Sequence, residues 1–534
     1  MISIRDSIVS HSPSDKKFAG WFSEAVWGHR LQPQSGWATV LEFLGMAEGM
    51  MSNGSLLDLT APYQNASYAA PVSKELRILL FNNPRMVQIR DDHQGDEERM
   101  WSEWLQDING RTGDEAIDFS YIKNSHPHFD LLVSKIELLQ KLVLDAGKSS
   151  KFTTRLIFPI GPAALYEPGD LKFVRDRNIF TRTGEIAYLM LTRASENLRG
   201  ELRQLLQRFL SESTSRNKLI RSLLPPGKPL RGGTKGATFL PYKEHPAFNR
   251  LAEDLIQILR LDLPHQDALE HIRFLLPFHI YLYGIETAAA WESGESSPFF
   301  ICEIPGPKMD VVRRASIGNR DDNEALGVEG MRRYVSRMLE GDPRVVEILD
   351  PNFRPDTEEK DRASELATEL QRLFFLNDFQ AEDLKKLGTR DDVQRAIHAE
   401  AAKAYRSGTL VALESLGREA GLIDSRGTTR KRYAPTDHLI RALVFANLPG
   451  DSPVEEADFL DHLRSRYGLV FGPQEAAATI QKQNPQHYDE ADYLRNRIRL
   501  SRRLVGLGLG SSMSDSCTYV VNPLGIPTDQ AAPA

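Results

Sequence analysis

Four arginines near the C-terminus, Arg495, Arg499, Arg502 and Arg503, carry the clearest chemistry by type and spacing in this 534-residue chain. On a helix advancing roughly 100° per residue they fall within an arc of roughly 100°, so their guanidinium groups would form one stripe. Such a stripe suits phosphate oxygens, which guanidinium binds through charge-assisted, paired hydrogen bonds. Tyr493, Leu494, Ile498, Leu500, Leu504, Val505 and Leu507 gather on the opposite side as the expected core face, with Arg497 among them. A second basic cluster, Arg430, Lys431 and Arg432 in SRGTTRKR, reads as a linker able to lie along phosphates. These seven residues are the expected DNA contacts.

Other constellations are weaker. His126 and His128 alternate ahead of Asp130, a spacing that could hold a divalent ion, yet Pro127 fits a loop and no third ligand is identifiable. The bland reading is a polar loop with Asp130 capping the next helix. Gly227-Lys228 and GGTKG (232–236) resemble a phosphate loop but lack the Gly-Lys-Ser/Thr that opens a helix after a strand. Glu303 and Lys308 resemble a nuclease pair, but the Glu-x-Lys order is broken by Pro305. Arg175, Arg177, Arg182 and Arg193 could surround an anion at a helix start near Thr183, although a salt-bridged face is the simpler reading. No catalytic constellation, metal site or cofactor motif emerges, which favours a non-enzymatic protein.

The elements that would position the arginines follow in order. Thr436-Asp437 can cap a helix to Asn447, Pro453 with Glu455 and Glu456 can open another to Tyr467, and an Ala-rich helix lies near Glu475. The arginine helix comes next, ended by Gly506, Gly508 and Gly510, which accept the positive φ of caps and turns. Cys517 to Val521 is rich in β formers. Three helices and a terminal β-wing give the order of a winged helix-turn-helix. From Arg426 to Arg503 there are 13 Lys and Arg against 10 Asp and Glu, a net +3 on a chain of net −7. Nucleic-acid contact is therefore expected to be local.

Elsewhere the text is helical, so the expected class is mainly α with a few short strands. At roughly 150 residues per domain the length suggests three or four units. The divisions read are an N-terminal helical domain (1–162), a central helical domain (163–296) with a flexible loop (225–239), a mixed then helical domain (297–424), and the winged-helix-like domain (425–534). Ser35 and Pro246 mark helix starts, and PFFICEI (298–304) is the best strand. Residues 310–323 read as a polar excursion before a helix at 330–339. Trp21, Trp27 and Trp37 lie close together, an arrangement more often core than base-stacking surface. Two cysteines exclude a disulfide framework, no signal peptide or membrane segment is evident, and a cytoplasmic location is expected.

WGHRLQPQSGWATVLEFLGMA (27–47), FTRTGEIAYLMLTRAS (180–195), HLIRALVFANLPGD (438–451) and FLDHLRSRYGLVFGP (459–473) together resemble large helical proteins of bacterial multigene anti-phage defence systems, in particular those of the methylation-associated type. The resemblance touches about a quarter of the chain and transfers no active-site residue. It implies protein partners beside methyltransferase, nuclease or ATPase components. The combined expectation is a DNA-associated accessory subunit, with a protein-docking scaffold as the alternative.

Overall fold

The computed structural model describes residues 4–9, 18–28, 31–58, 74–81, 83–110, 118–143, 183–210, 222–225, 239–294, 297–306, 310–350, 352–354, 361–374, 383, 386–387, 389–426, 430–480, 485–512 and 518–525. Most of these residues are helical, as the sequence periodicity requires, and the strands are only two or three residues long.

Helix α1 spans Phe18–Trp27 and α2 spans Gly36–Ser52; Ser35 Oγ accepts from Ala38 N and closes the first turn of α2. Trp27 is buried and donates its indole N–H to the Gly284 carbonyl, so it belongs to the core. A separate core is built by α3 (Lys74–Phe81), α4 (Met86–Asp92), α5 (Glu97–Gly110), α6 (Ser120–Ser125) and α7 (Phe129–Val143). Trp101, Trp104 and Phe129 meet edge to face inside it.

Helix α8 (Gly184–Thr192) is buried along its whole length against α2. Only a glycine fits at its start. A Cβ on Gly184 would overlap the Thr39 carbonyl oxygen and lie 2.8 Å from Glu42 Cβ and 3.0 Å from Phe43 N. Gly184→Ala is therefore expected to destabilise the protein by about 1–3 kcal/mol through overpacking. A urea midpoint equal to that of the parent would contradict this contact.

Helices α9 (Glu196–Phe209) and α10 (Pro246–Arg260) follow, and Pro246 takes the first helical position where its missing N–H costs nothing. The central element is α11 (His265–Ser293), a 29-residue helix whose residues from Phe274 to Trp291 are all buried. It packs against α2, α10 and α12 (Val311–Gly341), a 31-residue helix that continues through the expected excursion at 310–323. The reason is visible on its inner face: Ser316, Asn319, Arg320 and Asn323 are buried there, so apolar periodicity could not mark it. The body is completed by α13 (Pro343–Ile348), α14 (Arg362–Phe374), α15 (Arg390–Ser407) and α16 (Thr409–Glu419).

Strand β1 (Phe300–Ile301) lies within PFFICEI but finds its parallel partner far along the chain, in β5 (Leu469–Val470). Strands β2 (Ile423–Asp424) and β3 (Arg432–Tyr433) pair antiparallel, which places Arg432, read as part of a linker, in a strand. The C-terminal region runs α17 (Asp437–Asn447), β4 (Val454–Glu455), α18 (Glu456–Tyr467), β5, α19 (Pro473–Thr479), α20 (Glu490–Gly506), β6 (Gly510–Ser512) and β7 (Thr518–Val520). Thr436 caps α17 as read from the sequence. Residues 454–455, read as part of a helix start, are a strand. They pair with β7, which also pairs with β6, giving the sheet order β4-β7-β6.

Apart from the α3–α7 core and a small cluster around Ile301, Val470 and Tyr493, most buried apolar side chains form one continuous cluster that reaches from Ile4 to Val520, with α11 at its centre. Among the described residues no helix is long and apolar enough to cross a membrane.

Candidate functional site

The arginine helix α20 is turned differently from the orientation its apolar residues suggested. Tyr493, Asn496, Leu500 and Leu504 point into the protein and are buried. Leu494, Ile498 and Val505, expected inside, are 47%, 40% and 43% exposed. Three of the nine large exposed hydrophobics among the described residues thus lie along one outward strip of one helix.

The inward turn is enforced by polar groups. Asn496 is completely buried: its Oδ1 accepts from Ile304 N at 2.7 Å, and its Nδ2 donates to the Cys302 and Phe471 carbonyls at 2.9 Å each. One amide thereby satisfies three backbone groups in the segments carrying β1 and β5. Asp492, one turn earlier, accepts from Val311 N at the start of α12 at 2.8 Å. A leucine or alanine at these positions would leave backbone groups unpaired in the interior. Sequence reading missed Asn496 because a lone asparagine among arginines looks like a solvated residue.

The arginines divide accordingly. Arg499 donates to Asp310 Oδ2 at 3.0 Å, and Asp310 also caps α12. Arg503 pairs with Asp437 and donates to the Pro435 carbonyl at 3.0 Å. Arg497 pairs with buried Glu456 at 3.0 Å. Arg495 is 57% exposed and pairs with Asp492, while Arg502 is exposed with no ion pair. The outward strip is therefore Leu494, Ile498 and Val505, bordered along one side by the guanidinium groups of Arg495 and Arg502.

The second basic cluster needs a correction. Arg432 is only 2% exposed at its side chain and pairs with fully buried Glu303, which Arg313 also grips at 2.7 Å. A phosphate could not reach it without breaking that buried pair. Lys431 pairs with Glu414 at 2.6 Å, and Arg430 is exposed. The same geometry accounts for Glu303: its carboxylate neutralises two arginines, and the described residues include no group of three or more His, Cys, Asp or Glu arranged to hold a metal.

The remaining candidates resolve into structure. His126 is buried and its Nε2 accepts from Lys135 Nζ at 2.6 Å, whereas His128 is exposed near Glu97. Burial and the Lys135 charge push His126 below the usual histidine range, so it is neutral. Asp130 is in the first turn of α7, and the capping acceptor is Glu97 Oε2, which takes Phe129 N at 3.0 Å. Arg193 donates to the Tyr242 carbonyl. Arg175, Arg177, Arg182 and residues 226–238 lie outside the described residues.

A buried polar network ties the C-terminal region to the body. Asp254 on α10 accepts from His279 Nε2 at 2.7 Å, Arg466 at 2.6 Å and Tyr467 Oη at 2.6 Å. Burial alone would push the Asp254 carboxyl up, but the His279 hydrogen bond and the Arg466 charge hold it below the usual carboxylate range. Burial pushes His279 down against the pull of Asp254, so the pair is a carboxylate with a neutral imidazole. Nearby His245, fully buried with Nδ1 accepting from Ala247 N at 3.1 Å, is pushed well below its ordinary value by burial and by Arg250. These groups join α10, α11 and the end of α18 as a clamp.

No protein-family model, curated protein or solved structure matches the chain.

Proposed function

We propose that the protein is a non-enzymatic scaffold subunit whose C-terminal region is a winged-helix-like module that docks a protein partner through the outward strip of α20. The observation that carries the reading is the composition of that strip: three exposed aliphatic side chains bordered on one side by two arginines, with Arg499 paired to Asp310, whose side chain is 9% exposed, and Arg503 to surface Asp437. The winged-helix reading is supported by the order α17, β4, α18, α20, β6, β7 and by the sheet order β4-β7-β6, with β5 and α19 inserted before α20. In DNA-binding members of that architecture the last helix meets base edges and phosphates with polar side chains. Aliphatic side chains on that face fit an amphipathic helix instead.

Charge narrows the partner. A second copy docked face to face would set arginine against arginine, whereas a helix with an apolar ridge flanked by Asp or Glu is complementary. The resemblance to anti-phage defence components supports a setting beside methyltransferase, nuclease or ATPase subunits.

The DNA-associated reading keeps one observation in its favour, the exposure of Arg495 and Arg502. Titration of a labelled generic duplex by fluorescence anisotropy across a salt series separates the two. The two exposed arginines of α20 contribute about −2 to the slope of log K against log salt, and exposed Arg430 about −1 more. Binding that weak and shallow supports docking to protein. A slope of about −4 or steeper, lost when Arg495 and Arg502 are both alanine, would place the module on DNA.

A further inference from the structure

A cleft of about 410 Å³ lies between the end of α11, the middle of α12, the segment carrying β1, and residues Ile480 and His487 ahead of α20. It is separate from the outward strip of α20, and its volume is within the roughly 300–1,000 Å³ range of small-molecule sites. Its floor holds two asparagines one helical turn apart on α12, Asn319 and Asn323, which are 5% and 4% exposed.

The orientation of both amides is fixed by backbone groups of known polarity. Asn319 Oδ1 accepts from Ile301 N at 2.9 Å, so its nitrogen is the other end. Asn323 Nδ2 donates to the Phe299 carbonyl at 3.0 Å and to Tyr433 Oη at 3.1 Å, so its oxygen is the other end. Neither other end, the Asn319 NH₂ donor or the Asn323 carbonyl acceptor, has a partner among the described residues. Both free ends open onto the cleft, where water or an occupant completes them. They therefore offer a pre-oriented donor and acceptor to a cleft occupant.

The rest of the lining narrows its chemistry. Phe299, Leu326 and Ile480 supply apolar walls suited to a flat ring. Asp322 stands at the rim as an exposed carboxylate without an ion pair, and the His487 ring faces the same space without a hydrogen-bond partner. No lysine or arginine is among the described residues that line it.

We propose that this cleft binds an unphosphorylated nucleoside, with the base edge on Asn319 and Asn323 and the ribose hydroxyls on Asp322. A base edge presents adjacent donors and acceptors, and a vicinal diol donates to a carboxylate. Among the described residues that line the cleft there is no cation to set against a phosphate beside Asp322.

The test is ligand-observed saturation-transfer NMR and calorimetry on the full chain, using adenosine, guanosine, cytidine, uridine and their 5′-monophosphates. Asn319→Asp keeps the acceptor for Ile301 N and replaces only the free donor. Asp322→Asn removes an exposed charge with no internal partner, so it keeps the fold and decides the matter alone if Asn319→Asp does not fold. At least one nucleoside is expected to bind, about tenfold more weakly in each variant and about tenfold more weakly as its monophosphate, with that last gap narrowed by Asp322→Asn. No saturation transfer from any of the four nucleosides, or binding unchanged in Asp322→Asn, would overturn the assignment.

Discussion

Asn496→Leu is expected to destabilise the protein by about 3–9 kcal/mol, at about 1–3 kcal/mol for each buried backbone group left unpaired. The three groups are Ile304 N–H, Cys302 C=O and Phe471 C=O. Leucine keeps the branch of asparagine at Cγ and is bulkier, so no cavity opens and the loss comes from hydrogen bonding, with overpacking adding to it. The companion change Ile498→Ala, two residues on but on the outward strip, is expected to stay within about 0.5 kcal/mol of the parent. Urea unfolding of the two variants checks the orientation of α20 directly. If Asn496→Leu unfolds at the parental midpoint while Ile498→Ala does not, the helix is turned the other way and the outward strip is core.

Acidification from pH 7 to pH 5 is expected to weaken the fold by several kcal/mol. His245 and His279 are held neutral by burial, and burial with the Arg441 charge pushes His271 to about 4. A histidine whose folded pKa is depressed takes up its proton in the unfolded chain first. Its contribution is therefore intact above the unfolded value near 6.5 and is lost as pH falls below it. His271 loses about 2 kcal/mol over this window, and the lowered pKa values of His245 and His279 add to the loss in the same direction. Glu286 acts in the opposite sense, because burial beyond the reach of Arg250 raises its pKa and favours the folded state as it protonates. Asp254 stays out of this window, since its depressed pKa matters only below the ordinary carboxylate range. Thermal unfolding at the two pH values is the check, and a midpoint that does not fall would show that these histidines are charged or exposed.

The helical class and many helix starts were legible because they rest on local chemistry. Ser35, Thr436 and Pro246 act where their side chains act in any helix, and the Trp101 and Trp104 face of α5 obeys simple periodicity. What failed to read was long-range polarity. The inner face of α12 carries Ser316, Asn319 and Asn323, whose partners lie in the segment of β1 and at Tyr433, so nothing nearby in sequence shows that they are buried, while Arg320 beside them pairs locally with Glu324. The same holds for α20, where Asn496 goes in and Leu494, Ile498 and Val505 come out. Arg432 looked like a free cation because its counterion, Glu303, is 129 positions away. The strand in PFFICEI was visible, but its parallel partner Leu469–Val470 could not be, since pairing across such a distance leaves no local mark.

The outward strip of α20 is most directly examined by placing a photoreactive benzoylphenylalanine at position 498 in the full chain and irradiating cells that contain its natural partners. The docking account expects a crosslink, resistant to nuclease, to an acidic, apolar-striped helical segment of a second protein. A crosslink to nucleic acid, or none to any protein, would contradict it.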